Sequence, residues 1–303
     1  MGPIFSVLVV LSLGLVSVFA EGLAVQEVNA QASTAPPVGQ APTISDIYCA
    51  GFFTNSPLDA SLEVLSGEAA GFQNEFIERD IVYLNKGRAR ITTPGIEFMV
   101  VRPANDSNPR ESFAGQREMM KSMGTLYTEV ARIQVQIVHE ASATAEVVFA
   151  CEPILKGDIA IPLGARQAPP FKSPQPFDRF APPSGKATGV IVAGKEFQQT
   201  AGEGNVVYLN VGSYQGARVG SYFRIFRSYL SNDTDPYQQN TRQYATDVRG
   251  MRLGRKTTPQ ESASLPRTVI GELLVLSVQP NSSTGIITFS REEVSPGYEV
   301  ELE

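Results

Sequence analysis

Short apolar runs closed by Asn, Gly or Pro recur along the chain, and the sharpest is Ile81 to Leu84, which ends at Asn85 and Gly87 before a second run, Ile96 to Val101. β-Branched and aromatic residues bounded in this way predict two strands joined by a loop of about eight to ten residues. The same design returns at 206–228, where VVYLNVGSYQGARVGSYFRIFRS aligns without a gap on IVYLNKGRARITTPGIEFMVVRP. Val82, Tyr83, Leu84, Asn85, Gly87, Gly95, Phe98 and Arg102 meet Val207, Tyr208, Leu209, Asn210, Gly212, Gly220, Phe223 and Arg227. A second block, 130–162, returns at 270–302, where Val135, Val138, Ser142, Thr144, Phe149, Glu152 and Gly157 meet Val275, Val278, Ser282, Thr284, Phe289, Glu292 and Gly297. The offset is 125 residues in the first block and 140 in the second, so the connection between blocks is 15 residues longer in the second copy. Two blocks in one order with a single length change predict a duplicated domain.

The expected fold is all-β: two tandem copies of a small six-stranded barrel or sandwich, with little helix. Copy one is placed at 44–163, with its first strand at Ile47 to Phe53, a short helix near Leu58 to Leu65 and partial helix around Gln116 to Ser122. Copy two is placed at 188–303, with its first strand at Thr188 to Ala193 and a long polar insertion at 229–265. The six prolines of 164–187 mark a fairly stiff linker, with Phe171, Phe177 and Phe180 expected to rest on one of the domains.

Residues 1–20, MGPIFSVLVVLSLGLVSVFA, read as a secretory signal peptide cleaved near Ala20; the absence of Lys or Arg at its start keeps an uncleaved membrane anchor as the second reading. Residues 21–43, rich in Ala, Gln and Pro, read as a disordered tether. A net charge of −6 argues against nucleic acid, whose phosphates call for a basic surface. Export changes the reading of the only two cysteines, Cys49 and Cys151: both lie in copy one and neither recurs in copy two, which fits one disulfide joining the first strand to the end of the fifth. Two buried thiols are the alternative.

Candidate chemistry is sparse. Gly189, Gly194 and Lys195 have phosphate-loop spacing, but Glu196 stands where the magnesium-holding Ser or Thr belongs, and the stretch falls on a predicted strand aligned with Cys49 to Thr54. His139, the only histidine, sits at a turn where copy two has Gln279. Asp233 and Asp235 lack the glycine and closing Glu of a calcium loop. Arg102 and Arg227 share one repeat position and are expected to pair with carboxylates of their own domains. No catalytic, cofactor-binding or metal-binding residue is therefore assigned. Arg242, Arg249, Arg252, Arg255 and Lys256 in the insertion are basic residues on an acidic chain. They read either as part of a solvated loop or as a docking arm for an acidic partner.

The run VYLNVGSYQGARVGSYFRIFR, followed by IGELLVLSV and SSTGIITFSREEVSPGYEVEL, resembles the C-terminal β-domain of flagellar assembly protein T. It also resembles the domain that follows LysM peptidoglycan-binding modules in some exported bacterial proteins. Lys156-Gly157-Asp158 keeps that family's Gly-Asp turn, while Ser221 and Tyr298 stand where Asp is usual. The resemblance implies a bacterial envelope protein without a catalytic residue. The expected role is scaffolding or binding in cell-wall or surface-appendage assembly, with an envelope protein or cell-wall glycan as partner. The alternatives are a glycan- or small-ligand-binding module using the cleft between the copies, and a hydrolase.

Overall fold

The computed structural model describes residues 41–108, 110–166, 168–172, 178–227 and 259–303. The signal and most of the tether, Phe177, Asp233, Asp235 and the five basic residues of the insertion lie outside them. The described residues belong to one compact unit, Pro37–Glu303.

The structure is mostly β, with two sheets and little helix. Copy one begins with α1 (Ile44–Tyr48) and β1 (Phe52–Thr54), then β2 (Val64–Gly67), β3 (Ile81–Leu84), β4 (Glu97–Ala104), α2 (Gln116–Met123), β5 (Thr125–Val138), β6 (Ala143–Ala150) and β7 (Ile159–Pro162). Copy two holds β8 (Thr188–Gly194), β9 (Val206–Leu209), β10 (Tyr222–Arg227), a short helix α3 (Pro259–Ser264), β11 (Thr268–Val278), β12 (Ser283–Ser290) and β13 (Glu299–Leu302). In copy two β10-β11-β12-β9-β8-β13 close into a six-stranded antiparallel barrel. Copy one forms an open antiparallel sheet in the order β2-β3-β6-β5-β4-β7, to which β1 adds by pairing with β5. A single bridge, Glu63 to Ile159, spans its seam.

Strand for strand the two orders coincide. Alternation sends Val82 and Leu84 into the first core, and Val207 and Leu209 into the second. Repeated residues do repeated work. The side-chain carbonyl of Asn85 accepts from Glu63 N at 3.0 Å, and that of Asn210 from Val190 N at 2.7 Å, each pinning the first strand of its copy. Gly87 and Gly212 lie so close to the following hairpin that a Cβ would sit 2.3 Å from the carbonyl oxygens of His139 and Gln279 respectively. Gly95 and Gly220 take φ of 85° and 86°, a left-handed conformation that side chains disfavour.

Two sequence expectations need correcting. Residues 47–53 do not form the first strand: α1 occupies Ile44–Tyr48, capped by Thr43 through a reciprocal bond with Asp46, and the strand that follows is short. The counterpart of β8 is instead β2, within the stretch expected to hold a helix near Leu58 to Leu65. Gly157 N donates to Val64 O as Gly297 N does to Ile191 O, so SLEVLSG matches TGVIVAG rather than CAGFFT matching ATGVIV. The expected helix at Gln116 to Ser122 is present as α2.

Candidate functional site

Buried polar and apolar groups meet between the copies, and β1 is the axis of that contact. The run Cys49 to Thr54 is apolar and almost fully buried because it is covered on both sides. One edge of β1 pairs with Thr125 to Tyr127 of β5. Toward copy two, β1 and the two residues before it present carbonyl oxygens to three hydroxyls of the barrel: Tyr208 Oη donates to Ala50 O at 2.9 Å, Thr284 Oγ1 to Gly51 O at 2.9 Å and Ser282 Oγ to Phe53 O at 3.1 Å. All three donors are buried. The Tyr208 ring meets Phe53 edge to face, with centroids 5.4 Å apart. Burial pushes the Tyr208 phenol well above its ordinary pKa, with Glu129 the next cause, so it remains a donor at any physiological pH.

Apolar contacts flank these bonds. Phe53, Met123 and Leu126 pack with Val192, Ala193 and Tyr208, and Ala50 packs with Val206, Leu274, Leu276 and Ile286. Helix α2 adds a buried amide, Gln116 Nε2 donating to Val192 O at 2.8 Å. Around β1 the space between the copies is thus filled by side chains; beside it a hollow of about 250 Å³ lies between Ala41, Thr43 and Asp46 and copy-two residues Glu203, Gly204, Ile286 and Ile287.

The disulfide holds β1 in place: Cys49 and Cys151 are bonded, with Cα atoms 5.6 Å apart. Beside it the linker returns Arg166 to donate to Ile47 O at 2.8 Å and to pair with buried Glu129, whose other oxygen accepts from Gly51 N at 3.1 Å. Tyr48 lies under the guanidinium groups of Arg132 and Arg166. Further along, linker residue Lys172 pairs with Glu272 at 3.0 Å and also with Glu303, which Arg224 joins at 3.3 Å. Burial raises the Glu272 carboxyl despite Lys172, whereas in Glu303 the effect of burial is outweighed by Lys172 and Arg224 and its pKa falls. Phe171 packs against the barrel; Phe180 is 61% exposed.

The residues weighed for chemistry are placed elsewhere. His139 shares a hydrogen bond with Thr144 Oγ1 at 2.9 Å on the outside of copy one. Gly189 and Gly194 lie on β8, and Lys195 opens a single 3-10 turn, Lys195–Phe197. Arg102 grips buried Asp158 with two bonds, at 2.8 and 2.7 Å, and Arg227 pairs with Glu292 at 3.0 Å, so each arginine is engaged within its own copy. A surface hollow of about 360 Å³ opens between Thr200 to Asn205 and Ser290 to Glu293. Among the described residues no cluster of His, Cys, Asp and Glu has the arrangement of a metal site, and no helix is long and apolar enough to cross a membrane. The hydroxyls that join the copies were not singled out from the sequence; the signal that could have found them is that Ser142, Thr144 and Tyr83 all recur in the second copy. No protein-family model matches the chain, and no curated protein matches it.

Proposed function

We propose that this is an exported, non-enzymatic protein of the bacterial cell envelope, working as a scaffold or binding module in cell-wall or surface-appendage assembly. The observation that carries the reading is the interface between the copies. Three buried hydroxyl-to-carbonyl bonds, a disulfide and a folded-back linker lock two small β-domains into one body, an arrangement suited to presenting surfaces at fixed spacing. The buried carboxylates support it as well: Glu129, Asp158 and Glu301 are engaged by Arg166, Arg102 and Arg267 and by backbone amides, so their charge is committed to structure. The disulfide is consistent with an oxidising compartment. A ligand site between the copies would be confined to the hollow of about 250 Å³ beside Asp46 and Glu203, because the interface around β1 is filled with side chains. The partner is proposed to be an envelope protein or cell-wall glycan, and Arg242, Arg249, Arg252, Arg255 and Lys256 are proposed to dock its acidic groups.

The test is capture from envelope extract with the tagged full chain, alongside cell fractionation. The expected result is recovery of the chain in the envelope fraction with a specific protein or glycan bound, released as salt rises. Turnover of a cell-wall substrate by the purified chain, or residence in the cytoplasm, would overturn the proposal.

A further inference from the structure

The bonds between the copies are made by residues that both copies carry. Tyr208, Ser282 and Thr284 are the repeat counterparts of Tyr83, Ser142 and Thr144. Tyr83 stands opposite Thr144 in the β3–β6 ladder as Tyr208 stands opposite Thr284 in the β9–β12 ladder, so the same hydroxyls lie on the outer face of copy one. There they cover no strand. Tyr83, Ser142 and Thr144 are half-buried, and among the described residues the hydroxyls of Tyr83 and Ser142 have no hydrogen-bond partner, while Thr144 meets only His139.

The other half of the contact is also repeated. In copy one the segment before the sheet, held by Gly51 N on Glu129, offers its carbonyls to the barrel. In copy two the linker lies across the corresponding position: Val269, the counterpart of Glu129, donates its N–H to Arg179 O at 2.8 Å. That strip carries exposed Phe180, where the first segment has Phe53 edge to face against Tyr208, and then Pro182-Pro183, which have carbonyls and no amide hydrogens. Among the described residues, the Tyr83 and Ser142 hydroxyls without acceptors thus stand on copy one, and the carbonyls of Phe180, Ala181, Pro182 and Pro183, which receive no donor, stand on copy two.

We propose that Tyr83, Ser142 and Thr144 form a docking face for residues 178–183 of a second copy of this chain, so that chains join head to tail. The contact continues outward the one already made inside the chain. Because it joins unlike surfaces, it builds open rows or rings rather than a closed two-fold dimer. It is weaker than the internal contact, because Val206, Leu274, Leu276 and Ile286 around the internal site are replaced by Ile81, Gln134, Gln136 and Glu146 around the external one. The chain's own N-terminal tether is the less fitting occupant, since Ala41 and Thr43 line a hollow shared with Glu203, Gly204, Ile286 and Ile287 of copy two, where the chain enters the described structure.

The experiment uses the full mature chain. A photo-crosslinking residue at position 83, in a mixture of light- and heavy-isotope copies, is expected to give mixed-isotope crosslinks to residues 178–183. Sedimentation is expected to show association that grows with concentration and weakens by about tenfold or more in Tyr83→Ala/Thr144→Val, as loss of two hydrogen bonds and a ring contact implies. Tyr214→Ala, at an exposed residue elsewhere, is expected to change nothing. Tyr83→Phe, which removes a single hydroxyl, carries the test should the double variant not fold. Crosslinks confined to the same chain, symmetric crosslinks between two 83 positions, a monomer at every soluble concentration, or association unmoved by the variants would overturn the proposal. A monomer that still captures an envelope partner would remove this inference and leave the scaffolding reading standing.

Discussion

At the scale of single residues, stability rests on polar groups that burial has committed to one partner. Tyr208→Phe keeps the ring against Phe53 and removes only the bond to Ala50 O, leaving that carbonyl without its donor. It is expected to cost about 1–2 kcal/mol, a fall of roughly 2–8 °C in melting temperature for a body of this size; an unchanged melt would mean that water replaces the hydroxyl. Glu301 gives the pH dependence a sign. Its burial is outweighed by Arg267 and by the hydrogen bonds of Ser184, which hold the carboxyl below its ordinary 4.5. A group whose folded pKa is depressed contributes stability above its unfolded value and loses it as pH falls through the folded one. Melting temperature is therefore expected to drop as pH is taken below about 4.5, and less steeply in Glu301→Gln. Equal slopes in the two proteins would show that other carboxylates dominate the acid limb.

At the scale of elements, the segment α1–β1 is the least self-sufficient piece and the most consequential. It is short, its strand pairs with β5 over only Phe52 to Thr54, and it is held by the disulfide and by both copies. Removing both cysteines as Cys49→Ser/Cys151→Ser is expected to cost up to about 4–5 kcal/mol, the chain-entropy figure for a loop of this length. The loss is expected to appear first as protease cleavage between residues 44 and 54, before either sheet is cut; simultaneous cleavage everywhere would deny the segment its separate role. This segment is also where sequence reading went astray. CAGFFT is a continuous apolar run, which suits a strand buried on two faces, and it stood in place of the true first strand, SLEVLSG, whose Glu63 and Ser66 dilute the pattern. The repeated strands, the turn glycines and the cysteine pair were legible because spacing and duplication expose them. The inter-copy contact was not: Tyr83 and Tyr208 are one letter in the sequence, and only the fold makes one half-buried and the other a buried donor.

At the scale of the whole molecule, a proline-rich linker would ordinarily leave two domains free to unfold separately. Here Arg166, Lys172 and Ser184 bind it back onto the copies it joins, and β1 and α2 pack between them. Calorimetry is accordingly expected to give a single transition for the oxidised protein; two resolved transitions would show that the interface is weaker than its packing implies. The insertion is the part that this cooperative body is expected not to need. The barrel closes through residues on either side of it, Tyr222–Arg227 pairing with Thr268–Leu274 and with β13. Replacing residues 229–258 by a short Gly/Ser connection is therefore expected to leave the melting temperature within about 2 °C of the parent, since no pairing strand is touched. If Arg242, Arg249, Arg252, Arg255 and Lys256 dock an acidic envelope partner, the shortened chain loses that partner at low salt, and the parent loses it progressively as salt is raised. Undiminished capture by the shortened chain would assign binding to the two sheets instead, and a large fall in melting temperature would mean that the insertion packs against the barrel.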